Sequence, residues 1–173
     1  MNLMKNIRIE KVTLNIGAGK STDKLEKGVK LIKMITGINA VKTITQKRIP
    51  GWGLRPGLPV GCKLTLRKKK AEEIFSLLVK AKDNILSKNN FDEKGNISFG
   101  IHEYIDIPSV KYSPEIGIMG LQICITFERP GFRVKRKKIG SKKISSRHDL
   151  KKEDVMEYIM KNFSVSMREE AES

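Results

Sequence analysis

The chain has 173 residues, 39% of them hydrophobic, and its 35 Lys/Arg against 19 Asp/Glu give a formal charge of +16. One folded domain with a sizeable core is expected; no apolar run nears the ~18 residues of a membrane helix, and "MNLMKNIRIEK" lacks the apolar segment of a signal peptide. Solubility needs far less charge than this, so a polyanionic partner is indicated, and the shortage of large apolar residues opposite the basic ones argues against a membrane surface.

The cations are unevenly placed: residues 1–70 hold 17 Lys/Arg and 3 Asp/Glu, residues 71–128 hold 5 and 9, and residues 129–173 hold 13 and 7. Residues 7–16 alternate as a strand, with a phase slip near Glu10 and Lys11 that predicts a bulge. A helix over about 23–36 follows, capped by Asp23 with Glu26 three residues on and closed by a left-handed Gly37. Its apolar face is Leu25, Gly28 or Val29, Ile32, and Ile35 or Met34.

Residues 40–46 and 61–67 read as two strands. In the second, Lys63, Thr65 and Arg67 alternate with Cys62, Leu64 and Leu66, so one face is polar and basic and the other apolar. A second helix is expected over 70–87, with Ile74, Leu77, Leu78, Ala81 and Ile85 at helical spacing. After the polar turn "SKNNFDEKGN" come extended segments at 97–101 and 105–107, an irregular loop "SVKYSPEIGIMG" and an apolar strand at 121–127. Cys62 and Cys124 have no Cys or His neighbour at metal-binding spacing and are expected to be buried strand thiols in a reducing compartment. A basic loop, 129–152, carries 11 cations and one acid, and a terminal helix, 152–162, buries Val155, Ile159 and Tyr158 or Phe163. This order implies an α+β fold: an antiparallel β-sheet with helices packed on one face, and long loops.

Three stretches bear on chemistry. "VTLNIGAGKST" ends like a phosphate-gripping P-loop, but the pattern needs a glycine five residues before Gly19, and Leu14 stands there. A strand-to-helix turn is the better account: Gly17 and Gly19 permit close backbone approach, and a helix N-terminus beside Lys20 favours an RNA phosphate. "SSRHD" brings Ser146, His148 and Asp149 close in sequence, whereas triads are assembled from separate elements. Asp149 reads instead as a helix cap beside a solvated His148, and no catalytic residue, metal or cofactor is expected. "QKRIPGWGLRPGLPVG", residues 46–61, is rich in glycine and proline and holds the only tryptophan. Trp52 among Lys47, Arg48 and Arg55 suits stacking on a base with phosphate pairing; the alternative is a hairpin tip whose Trp52 folds back on the sheet. The 129–152 run would repel itself without a counter-anion, and its binding should weaken steeply with salt.

The segments "RIEKVTLNIGAGKS", "ITQKRIPGWGLRPGLPVGCKLTLR", "GNISFGIHEYIDIP", "KYSPEIGIMGLQICITFERPGFRVKRKK" and "KKEDVMEYIMKNF" carry a resemblance over nearly the whole chain. In order and spacing the sequence resembles the universal ribosomal large-subunit protein five family, which binds 5S rRNA, and its archaeal branch in particular. The resemblance implies a non-catalytic, cytoplasmic protein of the large ribosomal subunit, residues 1–173 forming one 5S rRNA-binding domain in the central protuberance. It implies 5S rRNA contacts at Thr13, Asn15, Gly17, Gly19, Lys20, Lys63, Thr65 and Arg67. The long loop, with Lys47, Arg48, Gly51, Trp52 and Arg55, would reach peptidyl-site tRNA. Large-subunit (23S-type) rRNA would meet Arg129, Arg133, Lys135, Arg136, Lys137 and Lys138. The "YSPEIGI" loop would face a small-subunit head protein, with other 5S-binding large-subunit proteins as neighbours. The chain departs from its relatives at Ile38, where a glutamine that contacts RNA is common, and at Lys20, where bacterial members often have Glu. The rival readings are a free RNA chaperone and a P-loop-like nucleotide-binding enzyme.

Overall fold

The computed structural model describes residues 2–168; Met1 and residues 169–173, which belong to the expected 1–173 span, lie outside the described residues. Strand β1 (Arg8–Gly17) turns Ile9, Val12, Leu14 and Ile16 inward, and its register shifts between Ile9 and Lys11, as the phase slip requires. It pairs on one side with β3 (Pro59–Leu66) and on the other with β6 (Leu121–Glu128). With β2 (Val41–Ile44) and β5 (Ile97–Ile101) at the edges, the order is β2-β3-β1-β6-β5, antiparallel throughout.

Helices α1 (Thr22–Thr36), α2 (Lys69–Lys80) and α3 (Lys152–Phe163) cover the apolar face. Leu31 and Ile32 of α1, Phe75 and Leu78 of α2, and Val155 and Ile159 of α3 meet Leu14, Ile123 and Ile125 in one core. Phe75 packs edge-on against Phe127 and Phe163, with ring centroids 6.5 and 4.7 Å away, and so ties α2 to the sheet and to α3; such pairs add about 1 kcal/mol beyond their burial. Two buried glycines permit close packing around β3. A Cβ on Gly28 would stand 3.0 Å from Cys62 Sγ, and one on Gly61 only 2.6 Å from the Ile16 carbonyl oxygen.

Several local expectations change. The α1 cap is Ser21, whose hydroxyl accepts the Lys24 N–H at 3.3 Å; Asp23 sits in the first turn, where its charge still suits the helix dipole. Gly37 closes α1 in the left-handed conformation, as expected, but Leu31 is buried and Met34 exposed. Helix α2 stops at Lys80 because Asp83 and Asn84 both adopt left-handed backbone, φ 54° and 58°, which a helix cannot continue. Its buried face is Ala71, Phe75, Leu78 and Val79. Ile85 instead opens β4 (Ile85–Ser87), which pairs in parallel with β7 (Ser166–Arg168), a strand the sequence pattern does not announce. Residues Tyr104–Asp106 form a 3₁₀ turn rather than an extended segment. There the fully buried Tyr104 hydroxyl accepts the Ser113 N–H at 2.9 Å and anchors the irregular loop. Cys62 is buried, which pushes its thiol pKa up, whereas Cys124 is exposed because alternation turns Ile123 and Ile125 inward.

The basic loop is folded over one end of the uncovered sheet face. Arg129 closes its base, donating to the Asp149 carbonyl at 3.1 Å and to the Asp154 carboxylate at 2.8 Å, with its side chain 11% exposed. Beyond a 3₁₀ turn at Phe132–Arg136, Arg136 reaches both the Glu10 and Glu128 carboxylates. Glu128 also holds Arg8 at 2.7 Å, and Glu10 holds Arg67 at 3.4 Å. Asp149 is not the α3 cap: Lys151 takes that position, and the Asp149 carboxylate accepts the Leu150 N–H.

Gly61→Ala should destabilise the protein by about 1–3 kcal/mol through overpacking against the β1 backbone. The check is the midpoint of urea unfolding, and an unchanged midpoint would show that the two strands can separate at little cost.

Candidate nucleic-acid interface

The sheet face opposite the helices is built by the outward half of each strand. In register, one row across it is Lys63, Asn15, Gln122 and Gly100, and the next is Thr65, Thr13, Cys124 and Ser98. Asn15 Nδ2 donates to Gln122 Oε1 at 3.3 Å across β1 and β6. These side chains are short and mostly uncharged, so the centre is level and rich in hydrogen-bonding groups. Lys63 and Lys11 supply positive charge beside it. A level polar surface with cations around it suits the sugar and phosphate edges of a folded RNA better than it suits a small substrate.

The turn after β1 does not cradle a nucleotide. The N–H groups of Ala18 and Gly19 both donate to the Val60 carbonyl, at 2.9 and 3.1 Å, so the amides a P-loop would offer to phosphate are bonded internally. Lys20 lies across Gly53, where a Cβ would fall 2.1 Å from its ammonium nitrogen. Gly17, Gly19 and Lys20 remain exposed at the end of the sheet face.

Between β2 and β3 the long loop is an ordered hairpin extension. Ile49 and Leu54 exchange backbone hydrogen bonds of 3.0 Å each, and the Thr45 N–H donates to Leu58 at 2.9 Å. Pro50–Trp52 forms a 3₁₀ turn closed by left-handed Gly53. Leu54 is buried, but Trp52 is 69% exposed at the tip and does not fold back on the sheet. Lys47, Arg48, Gly51 and Arg55 are exposed around it.

In the basic loop, Arg133, Lys135, Lys137 and Lys138 are exposed, while Arg129 and Arg136 are engaged internally through their ion pairs. His148 Nε2 lies 2.9 Å from the Pro130 carbonyl oxygen and its ring stands edge-on to Phe132, so it braces the loop and forms no triad with Ser146 and Asp149. Among the described residues no cluster of His, Cys, Asp and Glu suits a metal, and no helix is long and apolar enough to cross a membrane. Sequence reasoning does not single out Gln122, Cys124, Ser98 and Gly100 as part of this face. The alternation of the 121–127 strand contains that information, once its pairing with β1 is known.

Comparison with known proteins matches the chain to one ribosomal family. A family model described as ribosomal protein L5 matches residues 2–55, and a second, describing the C-terminus of that ribosomal family, matches residues 59–158. The chain is 44% identical to the large ribosomal subunit protein uL5 of Sulfurisphaera tokodaii, over 98% of this chain and 96% of that protein. It is 46% identical to the protein of the same name from Nanoarchaeum equitans, over 95% and 97% of the two chains. For the Methanococcus vannielii protein the identity is 44%, over 95% and 92%. With two matched models spanning most of its length and relatives at this identity, the chain belongs to the ribosomal protein L5 family.

Proposed function

We propose that this structural, non-enzymatic constituent of the cytoplasmic large ribosomal subunit holds 5S rRNA on its open sheet face, holds large-subunit rRNA on the basic loop, and touches peptidyl-site tRNA with the Trp52 hairpin. The observation that carries the reading is a whole sheet face left without helical cover, polar at its centre and bordered by lysines. Thr13, Asn15, Gly17, Gly19, Lys20, Lys63 and Thr65 would meet 5S rRNA. Lys47, Arg48, Gly51, Trp52 and Arg55 would meet tRNA, and Arg133, Lys135, Lys137 and Lys138 the larger rRNA. Arg67, Arg129 and Arg136 contribute chiefly by fixing the surfaces around them through their ion pairs. The loop anchored by Tyr104, with Tyr112 and Ile118 exposed, would serve a small-subunit head protein, and other 5S-binding proteins would adjoin the particle.

Phosphate pairing supplies most of the affinity and the level face supplies the discrimination. A free RNA chaperone would share the charge but would not sediment stoichiometrically with large subunits. A nucleotide-binding enzyme would need the Ala18 and Gly19 amides that Val60 occupies.

Three outcomes are expected. Titrated at rising salt, the protein should prefer 5S rRNA to a length-matched duplex, and the gap should widen, because contacts that depend on shape release no counterions; equal affinity throughout would leave a generic polycation. Iodoacetamide should alkylate Cys124 and spare Cys62 in the native protein, and bound 5S rRNA should protect Cys124; an unprotected Cys124 would move the RNA off the sheet face. Trp52→Ala should leave free 5S rRNA binding largely intact and weaken tRNA binding to assembled ribosomes, whereas a large loss on free 5S rRNA would reassign the hairpin.

A further inference from the structure

Two adjoining cavities lie beside the basic loop, and of the residues assigned above to RNA only Lys135 lines them. The larger, about 450 Å³, is lined by Lys94, Lys135, Lys142 and Lys143 with Ser141 and Asp149. The smaller, about 250 Å³, is lined by Phe132, Leu150, Asn96 and Thr126 and by the paired Glu10 and Arg136. Lys94, Lys135 and Asp149 line both, so the two cavities adjoin at these residues. We propose that together they form a subsite for one extruded nucleotide of a single-stranded RNA segment, its phosphate among the lysines and its base against Phe132. This rests on reading the chain as an rRNA-binding protein and names where and how one unpaired nucleotide would be held.

Charge argues for the phosphate. Four lysines and one carboxylate line the larger cavity, none of the four lysines forms an ion pair among the described residues, and Glu10 of the smaller cavity is already held by Arg67 and Arg136. Like charges gathered round one cavity repel until an anion enters. The walls that carry them are nonetheless fixed. The Asp92 carboxylate accepts the Lys94 N–H at 2.9 Å, the Asn96 N–H at 2.8 Å and the Asn96 side-chain amide at 2.8 Å. Gly95, at φ 74°, lies so close to α3 that a Cβ would stand 2.5 Å from Val155 Cγ2. On the opposite wall the Ser141 hydroxyl donates to the Lys135 carbonyl at 3.1 Å, and the Lys142 N–H to Val134 at 3.3 Å. The backbone is therefore set before any ligand arrives, and only the lysine ends must move.

Shape and polarity argue for the base. Buried Leu150 lines the smaller cavity, and half-buried Phe132 is held by the edge-on ring of His148, 5.8 Å between centroids. An aromatic wall next to side-chain amide and hydroxyl groups suits an unstacked base, which offers a π face and a hydrogen-bonding edge. A duplex keeps its bases paired and could use only the lysine cavity, and a free phosphate would do the same.

The test uses the full chain and fluorescence anisotropy with a labelled mixed-sequence single-stranded decaribonucleotide, the same strand as a duplex, inorganic phosphate as competitor, and 5S rRNA. Phe132→Leu, which keeps an apolar side chain beside His148, should weaken single-strand binding about tenfold and leave duplex and 5S affinities unchanged; Phe132→Tyr should restore it. The Lys94→Ala/Lys142→Ala double variant should weaken single-strand binding and lower its salt slope by about one ion. The subsite is overturned if Phe132→Leu leaves the single strand bound as before, if the double variant keeps the wild-type salt slope, or if millimolar phosphate displaces the strand completely. Wild-type protein that binds 5S rRNA but not the single strand would sink this subsite alone. Failure to bind any of the RNAs would sink the parent reading with it.

Discussion

The two-residue period of β1, held by neighbours on both sides, decides what each face of the molecule can be. With β3 and β6 both bonded to it, a slip by one residue would exchange Val12, Leu14 and Ile16 for Thr13, Asn15 and Gly17 and bury the polar set under the helices. The helices cannot cover the second face, because it presents no apolar surface of the kind they need. The open face is therefore a by-product of the same alternation that builds the core. The bulge between Ile9 and Lys11 is where this regularity gives way, and there Glu10 is freed to meet Arg67 and Arg136.

Acids are scarce in the basic segments, and several of those described are used structurally. Glu10 and Glu128 between them hold Arg8, Arg67 and Arg136, and Asp154 holds Arg129. All four partners are arginines, whose flat, many-donor guanidinium can satisfy two acceptors at once. Lysines carry most of the charge left facing solvent in the same loop. The exposed ion pairs add little stability one by one; Glu128, almost fully buried, is the member that needs its partners in place.

Much of this was legible in the chain because it depends on local alternation: the strand faces of β1 and β3, the bulge, the left-handed Gly37 and the exposed segment around Trp52. What escaped depends on partners distant in sequence. Ile85 continues the α2 spacing, yet the two left-handed residues before it and the pairing with Ser166 take it into a strand. Cys124 looks buried among apolar neighbours, and only its register opposite Thr13 shows that it faces out. Arg129 and Arg136 look like any other cations in a basic run, since nothing local marks them as the two that turn back on Glu10, Glu128 and Asp154. The family resemblance supplied the expected RNA surfaces without showing that the turn's amides are taken by Val60.

The sheet order has a consequence for vectorial synthesis. β1 can gain its first neighbour once residue 66 has emerged, but its other edge stays bare until 121–128 follow. For that interval a half-finished sheet exposes unpaired backbone of the kind that recruits other nascent chains. The excess of positive charge in the first 70 residues lies on the portion that must wait, and mutual repulsion between growing chains is a physical safeguard during that wait.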